Sequence, residues 1–231
     1  MTIADNIAVV RDRMARAARR CGRDPAEVAL VAVSKTHPAD MVRQALEAGV
    51  DTVGENYIQE ARDKIAALAD CSISWHFIGH LQSNKARYAV DLFDLIHGVD
   101  SLKLAREIDK QAAKVGKRQP VLIQVNISGE ATKSGTTEAA ALALVREAGR
   151  LEHLQVRGLM TMPPFFDQPE RARPYFAALR RLRDRIRAEA IAGVNVAELS
   201  MGMTGDFEVA IEEGATLVRI GTAIFGPREN R

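Results

Sequence analysis

Lys35 closes an unbroken apolar run, Val28-Ala29-Leu30-Val31-Ala32-Val33-Ser34-Lys35, and Thr36-His37-Pro38 stops the run immediately after it. Apolar walls disfavour an ammonium and lower the amine pKa from its free value of ~10.4, and a neutral amine can attack an aldehyde. The same position also suits a lysine whose stem caps a strand while its head reaches water. Towards the other end, Leu199-Ser200-Met201-Gly202-Met203-Thr204-Gly205-Asp206 reads as a strand end passing through a glycine-containing loop into a helix. Backbone N–H groups and a small hydroxyl at such a place can cradle a phosphate. An ordinary turn with Thr204 or Asp206 as helix cap fits the same residues. The next run, Thr216-Leu217-Val218-Arg219-Ile220-Gly221-Thr222, puts a charge inside an apolar strand and follows it with Gly-Thr. Gly221 lets a backbone approach an anion, and Thr222 adds a hydroxyl donor. A lone buried charge is very costly, so Arg219 needs either a ligand site beside it or a carboxylate partner inside the fold.

Weaker candidates lie between these runs. Asn56, in Gly54-Glu55-Asn56-Tyr57, can cap the next helix or reach a ligand. His76 reads as a structural strand histidine, and His80, a few residues on, lies nearer a ligand. The arginines from Arg171 to Arg187 fall opposite Phe176, Leu179, Leu182 and Ile186, which recur at helical spacing. With 32 Lys+Arg against 30 Asp+Glu, the net charge is +2, which predicts a solvated helix face and no nucleic-acid partner.

The elements that must position these groups alternate from end to end. Strands are predicted at Val28–Lys35, Thr52–Gly54, Trp75–Gly79, Leu92–Gly98, Val121–Ile127, Val156–Met162, Glu198–Ser200 and Thr216–Gly221. Helical patterns fall at Ile3–Arg19, Ala39–Glu47, Tyr57–Ala69, Asn84–Val90, Leu102–Val115, Glu138–Leu151, Glu170–Ala192 and Asp206–Glu212. Apolar runs without polar alternation mark parallel strands covered on both faces. Eight such strands, each followed by a helix, predict an α/β fold: a single-domain (β/α)8 barrel of the TIM type over residues 1–231. An extra N-terminal helix supplies the eighth outer helix. An open doubly wound sheet is the competitor, and no GxGxxG follows the first strand to favour it. In a barrel, Lys35 and the loops after the last two strands share the C-terminal mouth, where chemistry is placed.

Cys21 and Cys71 form no CxxC pair, so neither zinc nor a disulfide framework is indicated. The N-terminus is polar and amphipathic rather than a secretory signal, and no apolar run nears the ~20 residues that span a bilayer. A soluble, cytoplasmic, monomeric protein is expected.

A lysine on strand one, two phosphate loops after the last strands and an inward arginine point to pyridoxal phosphate. Val31-Ala32-Val33-Ser34-Lys35-Thr36, Gly54-Glu55-Asn56-Tyr57, His76-Phe77-Ile78-Gly79-His80-Leu81-Gln82-Ser83-Asn84-Lys85, Ser200-Met201-Gly202-Met203 and Arg219-Ile220-Gly221-Thr222-Ala223-Ile224-Phe225-Gly226 together resemble the pyridoxal phosphate homeostasis protein family, across essentially the whole chain. The resemblance implies that Lys35 holds pyridoxal 5'-phosphate as an internal aldimine. It implies that Ser200, Gly221 and Thr222 hold the phosphate, that Asn56, Gly202 and Met203 line the pocket, and that Arg219 faces the pyridine nitrogen as in the related barrel of alanine racemase. It further implies a non-catalytic protein that binds the cofactor, delivers it to apo-enzymes and keeps vitamin B6 and amino-acid pools in balance. The family frequently carries a second lysine two positions after the first; here that place is His37, and Lys133 is the remaining candidate for an auxiliary lysine.

The residues agree independently. A permanent charge at the ring nitrogen disfavours the protonation that makes pyridoxal phosphate an electron sink. Racemisation needs a second acid/base on the opposite face of the ligand, which in alanine racemases is a tyrosine from another domain, and Tyr57, Tyr88 and Tyr175 match no such motif. The competing reading is a single-domain pyridoxal phosphate-dependent amino-acid racemase.

Overall fold

The computed structural model describes residues 1–130 and 133–227. Its strands are β1 (Ala29–Val33), β2 (Thr52–Glu55), β3 (Ser74–Phe77), β4 (Leu95–Val99), β5 (Gln119–Asn126), β6 (Thr136–Thr137), β7 (Leu154–Met160), β8 (Glu198–Ser200) and β9 (Leu217–Ile220). Every pairing is parallel. β1 pairs with β2 on one side and β9 on the other, and β4 pairs with β5, so eight strands close into the expected barrel. The two-residue β6 merely extends the mouth end of β5, with Val125 opposite Thr136. So short an element has no periodicity to reveal it in the sequence.

The helices are α1 (Ile3–Arg20), α2 (Ala39–Glu47), α3 (Ile58–Ala67), α4 (Ala86–Leu92), α5 (Leu102–Lys114), α6 (Glu138–Ala148), α7 (Arg173–Ala188), α8 (Phe207–Glu212) and a single turn, α9 (Thr222–Phe225). α1 is fixed at its start by a reciprocal cap, Thr2 N to Asp5 Oδ2 at 2.8 Å and Asp5 N to Thr2 Oγ1 at 3.1 Å. It buries Ile3, Ile7, Val10, Met14, Ala17 and Ala18. Arg13 and Arg20 reach Glu208 and Glu212 of α8 (2.8 Å each), while Arg11 donates to the Ala48 and Gly49 carbonyls at the end of α2. α1 therefore stands between α8 and α2 and completes the outer ring, as the sequence suggested.

Three boundaries shift for physical reasons. β1 ends at Val33 rather than Lys35: Ser34 N still donates to Gly54 O (3.1 Å), and then Thr36 adopts φ 68° and turns the chain away. Leu92 belongs to α4, not to β4. The stretch from Glu170 to Ala192 is divided, because Pro174 starts α7 afresh after a 3-10 turn at Pro169–Ala172, and Ala190 turns left-handed at φ 46° beyond its end.

Inside the barrel an apolar layer of Val31, Leu95, Leu122, Met160 and Leu217 is packed apart from the main core between strands and helices. Above and beside it the interior holds His76, His97, Ser200 and Arg219, all buried, where such barrels ordinarily place branched aliphatic residues. Two glycines let the strand ends close in here. A Cβ on Gly79 would collide with the Asn56 carbonyl, and one on Gly98 would lie 2.6 Å from the Gly79 carbonyl. Gly79→Ala is therefore expected to cost about 1–3 kcal/mol by overpacking. For a chain of this size that lowers Tm by roughly 2–12 °C in a thermal melt, and an unchanged Tm would contradict the packing described.

Candidate functional site

The C-terminal mouth of the barrel opens into a cavity of about 350 Å³. The end of β1 contributes Val33 and the turn after it Lys35 and His37; the residues directly after β2 and β3 contribute Asn56 and Ile78. Met162, Phe165 and Phe166 come from the loop before α7, and Met203, Thr204, Gly205 and Asp206 from the loop before α8. Arg219, Gly221 and Thr222 complete the wall. Six of the expected site residues thus converge: Lys35, Asn56, Met203, Arg219, Gly221 and Thr222.

Ser200 and Gly202 are placed differently. Ser200 is fully buried in the barrel beneath the cavity, and its Oγ is engaged by Arg219 Nη1 (2.5 Å) and His97 Nδ1 (2.9 Å). Gly202 backs the loop: at φ 91°, with Ala210 Cβ 2.6 Å from where its own Cβ would be, only glycine fits, and its carbonyl accepts from Arg219 N (3.0 Å). The hydroxyl-bearing residue that this loop brings to the cavity wall is Thr204. Asp206 precedes α8 but its side chain does not cap it; Oδ1 accepts from Met203 N at 2.7 Å and draws the loop closed.

Arg219 forms the floor. Its guanidinium is buried, and its recorded partners are neutral: Ser200 Oγ and the Thr161 carbonyl, the latter at 3.0 Å from Nη2. Among the described residues no carboxylate comes within ion-pairing distance of it, so the internal ion pair that the sequence left open is not what holds it. Burial lowers its pKa to about 10, with Asp206 across the cavity acting in the opposite sense. At neutral pH it remains a cation.

A chain of hydrogen bonds continues downward: Ser200 Oγ to His97 Nδ1 (2.9 Å), His97 Nε2 to His76 Nδ1 (3.1 Å), and His76 Nε2 to Ser74 Oγ (3.2 Å). A guanidinium only donates, so Ser200 accepts from it. With the Ser200 proton directed to His97 Nδ1, each neutral imidazole carries its proton on Nε2 and Ser74 accepts the last bond, an order in which every member is satisfied. Both rings are held neutral: burial brings His76 down to about 4 and His97 well below the usual histidine value, the latter helped by His76 and Arg219. His76 is structural, as expected; His97 was not singled out in the sequence.

Other expected participants lie elsewhere. His80 sits in a neighbouring groove with Tyr57 and Tyr88, 3.3 Å from Ser134 Oγ. Lys133 Nζ lies 3.1 Å from Glu130 Oε1, outside the cavity wall; the adjoining Thr132 lies outside the described residues. His37, in the lysine's place, stacks on Phe225 with ring centroids 5.3 Å apart. Phe165 and Phe166 carried no sequence signal beyond the preceding Pro163-Pro164, which stiffens their loop.

The donor set fits a small aromatic aldehyde bearing a phosphate: one amine, one fixed cation, the hydroxyls of Thr204 and Thr222, a glycine approach and apolar walls. Asn56 Oδ1 is buried without a hydrogen-bond partner, which costs about 1–3 kcal/mol unless something outside the chain donates to it.

A closed (β/α)8 barrel with a lysine, an arginine and two hydroxyl loops around one mouth cavity defines a cofactor-binding barrel. Residues 3–229 match the family model described as the alanine racemase N-terminal domain. The chain is 48% identical to the pyridoxal phosphate homeostasis protein of Pseudomonas aeruginosa, covering 99% of this chain and 96% of that one. It is 44% identical to the corresponding Aquifex aeolicus protein, over 99% and 100%. Among solved structures, PipY of Synechococcus elongatus with PLP bound superposes with a TM-score of 0.85 at 37% identity, covering 97% of this chain and 100% of that one. The chain belongs to the pyridoxal phosphate homeostasis protein family. No helix among the described residues is long and apolar enough to cross a membrane.

The buried imidazoles make stability depend on pH. The unfolded chain takes up a proton on His76 near pH 6.5, the folded chain only near 4. Stability is thus complete above about 6.5 and is lost as pH falls towards 4. Between pH 7 and 5 this one group removes about 2 kcal/mol, read as a lower urea midpoint. His76→Gln, which cannot be protonated, removes this share of the slope and leaves the share due to His97; an unchanged slope would show that His76 does not contribute.

Proposed function

We propose that the mouth cavity binds pyridoxal 5'-phosphate, that Lys35 takes its aldehyde covalently, and that the protein stores the cofactor and passes it to apo-enzymes without turning over amino acids. The observation that carries this reading is the convergence of Lys35 and a buried, carboxylate-free Arg219 on one cavity. When bound, pyridoxal phosphate supplies an electron-accepting ring. Val33 and Ile78 wall the cavity beside Lys35. Thr204, Gly221 and Thr222 are the groups we assign to the phosphate, Thr204 replacing Ser200, whose hydroxyl is committed to Arg219. Asn56 Oδ1 would accept from the ligand, and Met203 would pack against it. Arg219, facing the ring nitrogen, would withhold the protonation on which carbanion chemistry relies.

The racemase reading has one feature in its favour. The cavity wall includes His37 and Asp206, two titratable groups besides Lys35, and Asp206 is pushed up by burial. The deciding measurement is exchange of the α-hydrogen of several amino acids for deuterium by the wild-type protein. Exchange no faster than with free pyridoxal phosphate is expected; turnover at roughly 1 s⁻¹ or faster would establish an enzyme.

Two further outcomes test the site itself. The loaded protein is expected to be yellow, and borohydride followed by peptide mapping places the adduct on Lys35; an adduct elsewhere with Lys35 unmodified overturns the assignment. Thr222→Ala removes a charge-assisted bond of about 1.5–3 kcal/mol and weakens pyridoxal phosphate binding by roughly tenfold or more in equilibrium dialysis, with little effect on pyridoxal. Equal loss for both ligands would move the phosphate elsewhere.

A further inference from the structure

Lys35 lies between two residues that are tied down from behind. On one side, Ser34 Oγ donates to Glu55 Oε1 (2.5 Å), and the Ser34 carbonyl accepts from Lys64 Nζ (2.6 Å) and from His37 N (3.0 Å). On the other side, Thr36 N donates to Glu60 Oε2 at 3.0 Å. The two anchors are joined, since Lys64 Nζ also donates to Glu55 Oε1 (2.5 Å) and lies 4.0 Å from Glu60 Oε2. Glu55 is fully buried at the end of β2, and Lys64, on α3, is only 7% exposed. A lysine on an outer helix ordinarily extends into solvent, so its burial against the strand ends needs a reason.

Thr36 supplies the reason. At φ 68° it occupies the left-handed region, which a β-branched residue avoids. Such strain persists only where the surroundings over-determine it. Here the surroundings are Glu60 on the Thr36 amide and the Lys64–Glu55 pair on Ser34. The turn they enforce ends the strand at Val33 and places Lys35 and His37 in the wall of one cavity.

We propose that Lys64, Glu55 and Glu60 are positioning residues for Lys35: they hold the Ser34–Thr36 turn so that the amine is aimed at the cofactor's aldehyde, and they govern covalent capture rather than non-covalent binding. The proposal rests on Lys35 being the residue that takes the aldehyde. In that step the amine lone pair adds to the aldehyde carbon, a C=N bond forms, and the aldehyde oxygen leaves as water. None of the three residues lines the cavity, so none contributes a contact to the ring or the phosphate.

The test compares two ligands on the full chain freed of cofactor: pyridoxal 5'-phosphate, and 4'-deoxypyridoxine 5'-phosphate, which keeps ring and phosphate but has no aldehyde. Removing one partner of a buried ion pair leaves the other charge unmatched, so the pair is removed together as Lys64→Met/Glu55→Gln. Glu60→Ala, at a half-buried position, is the second arm and does not disturb the buried pair's own hydrogen bond. Each variant is expected to bind pyridoxal phosphate at least tenfold more weakly and to form the imine absorbance more slowly, while its affinity for the deoxy analogue stays within twofold of wild type. Parallel weakening of both ligands, or no change in either, overturns the positioning role. Wild-type protein that binds both ligands equally, with no borohydride adduct on Lys35, would instead overturn the assignment of Lys35 itself.

Discussion

A buried guanidinium with no carboxylate within ion-pairing distance among the described residues is the constraint around which the barrel interior is arranged. The lowering of Arg219 to about 10 corresponds to roughly 3 kcal/mol disfavouring its charged form. Two hydrogen bonds to neutral acceptors, each worth about 1.5–3 kcal/mol when the donor is charged, are of the size needed to keep it there. Those acceptors must themselves be satisfied, and this explains the two histidines in a place meant for Val, Ile and Leu. Ser200 can accept from Arg219 only if its own proton goes elsewhere, and His97 takes it; His97 then needs His76, and His76 needs Ser74. Charge on any of these rings would add a second cation beneath the first. Neutral imidazoles are therefore a condition of the arginine, and burial supplies it.

The same barrel end holds another buried cation and treats it in the opposite way. Lys64 is matched by Glu55 at 2.5 Å, with Glu60 beyond, so its field is largely cancelled inside the protein. Among the described residues, the carboxylate that acts on Arg219 is Asp206, which lines the same cavity and is itself tied to Met203 N. One cation is neutralised and tied to the backbone; the other is left uncompensated and turned to the cavity. A buried ion pair gives geometry, whereas an unmatched charge acts on whatever occupies the space beside it.

The barrel was legible because its strands are apolar runs and its helices repeat at helical spacing, signals that survive without tertiary knowledge. Boundaries were not, and the instructive miss is Lys35: composition carries the strand to residue 35, but the turn at Thr36 depends on Glu60 and Lys64, which lie in a helix more than twenty residues on. Lys35 and Arg219 stood out because a charge at the end of, or within, an apolar strand is anomalous. Thr204 and Ser200 could not be told apart, since both are small hydroxyl residues in one strand–loop segment and only the guanidinium beneath decides which is consumed. Lys64 was invisible for a statistical reason: a helical lysine is nearly always solvated, and nothing local to α3 marks this one as an exception.

Placement of the remaining titratable groups bears on the proposal that the cavity would hold a cofactor without using it. Proton transfer to both faces of a bound carbon needs two groups on opposite sides of the ligand plane. His37 follows Lys35 on the same turn, with Ser34 O accepting from its amide, and its ring is stacked on Phe225 of α9. Asp206 lines the same cavity, yet its Oδ1 is committed to the loop that shapes the wall, and its charge acts on Arg219. Asp206 closes the loop that supplies Thr204, and His37 packs on the helical turn that begins at Thr222, so both groups take part in building the cavity. On the proposed reading, a wall whose His37 and Asp206 are engaged in its own shape, around an arginine facing the ring nitrogen, would favour retention of the cofactor over reaction.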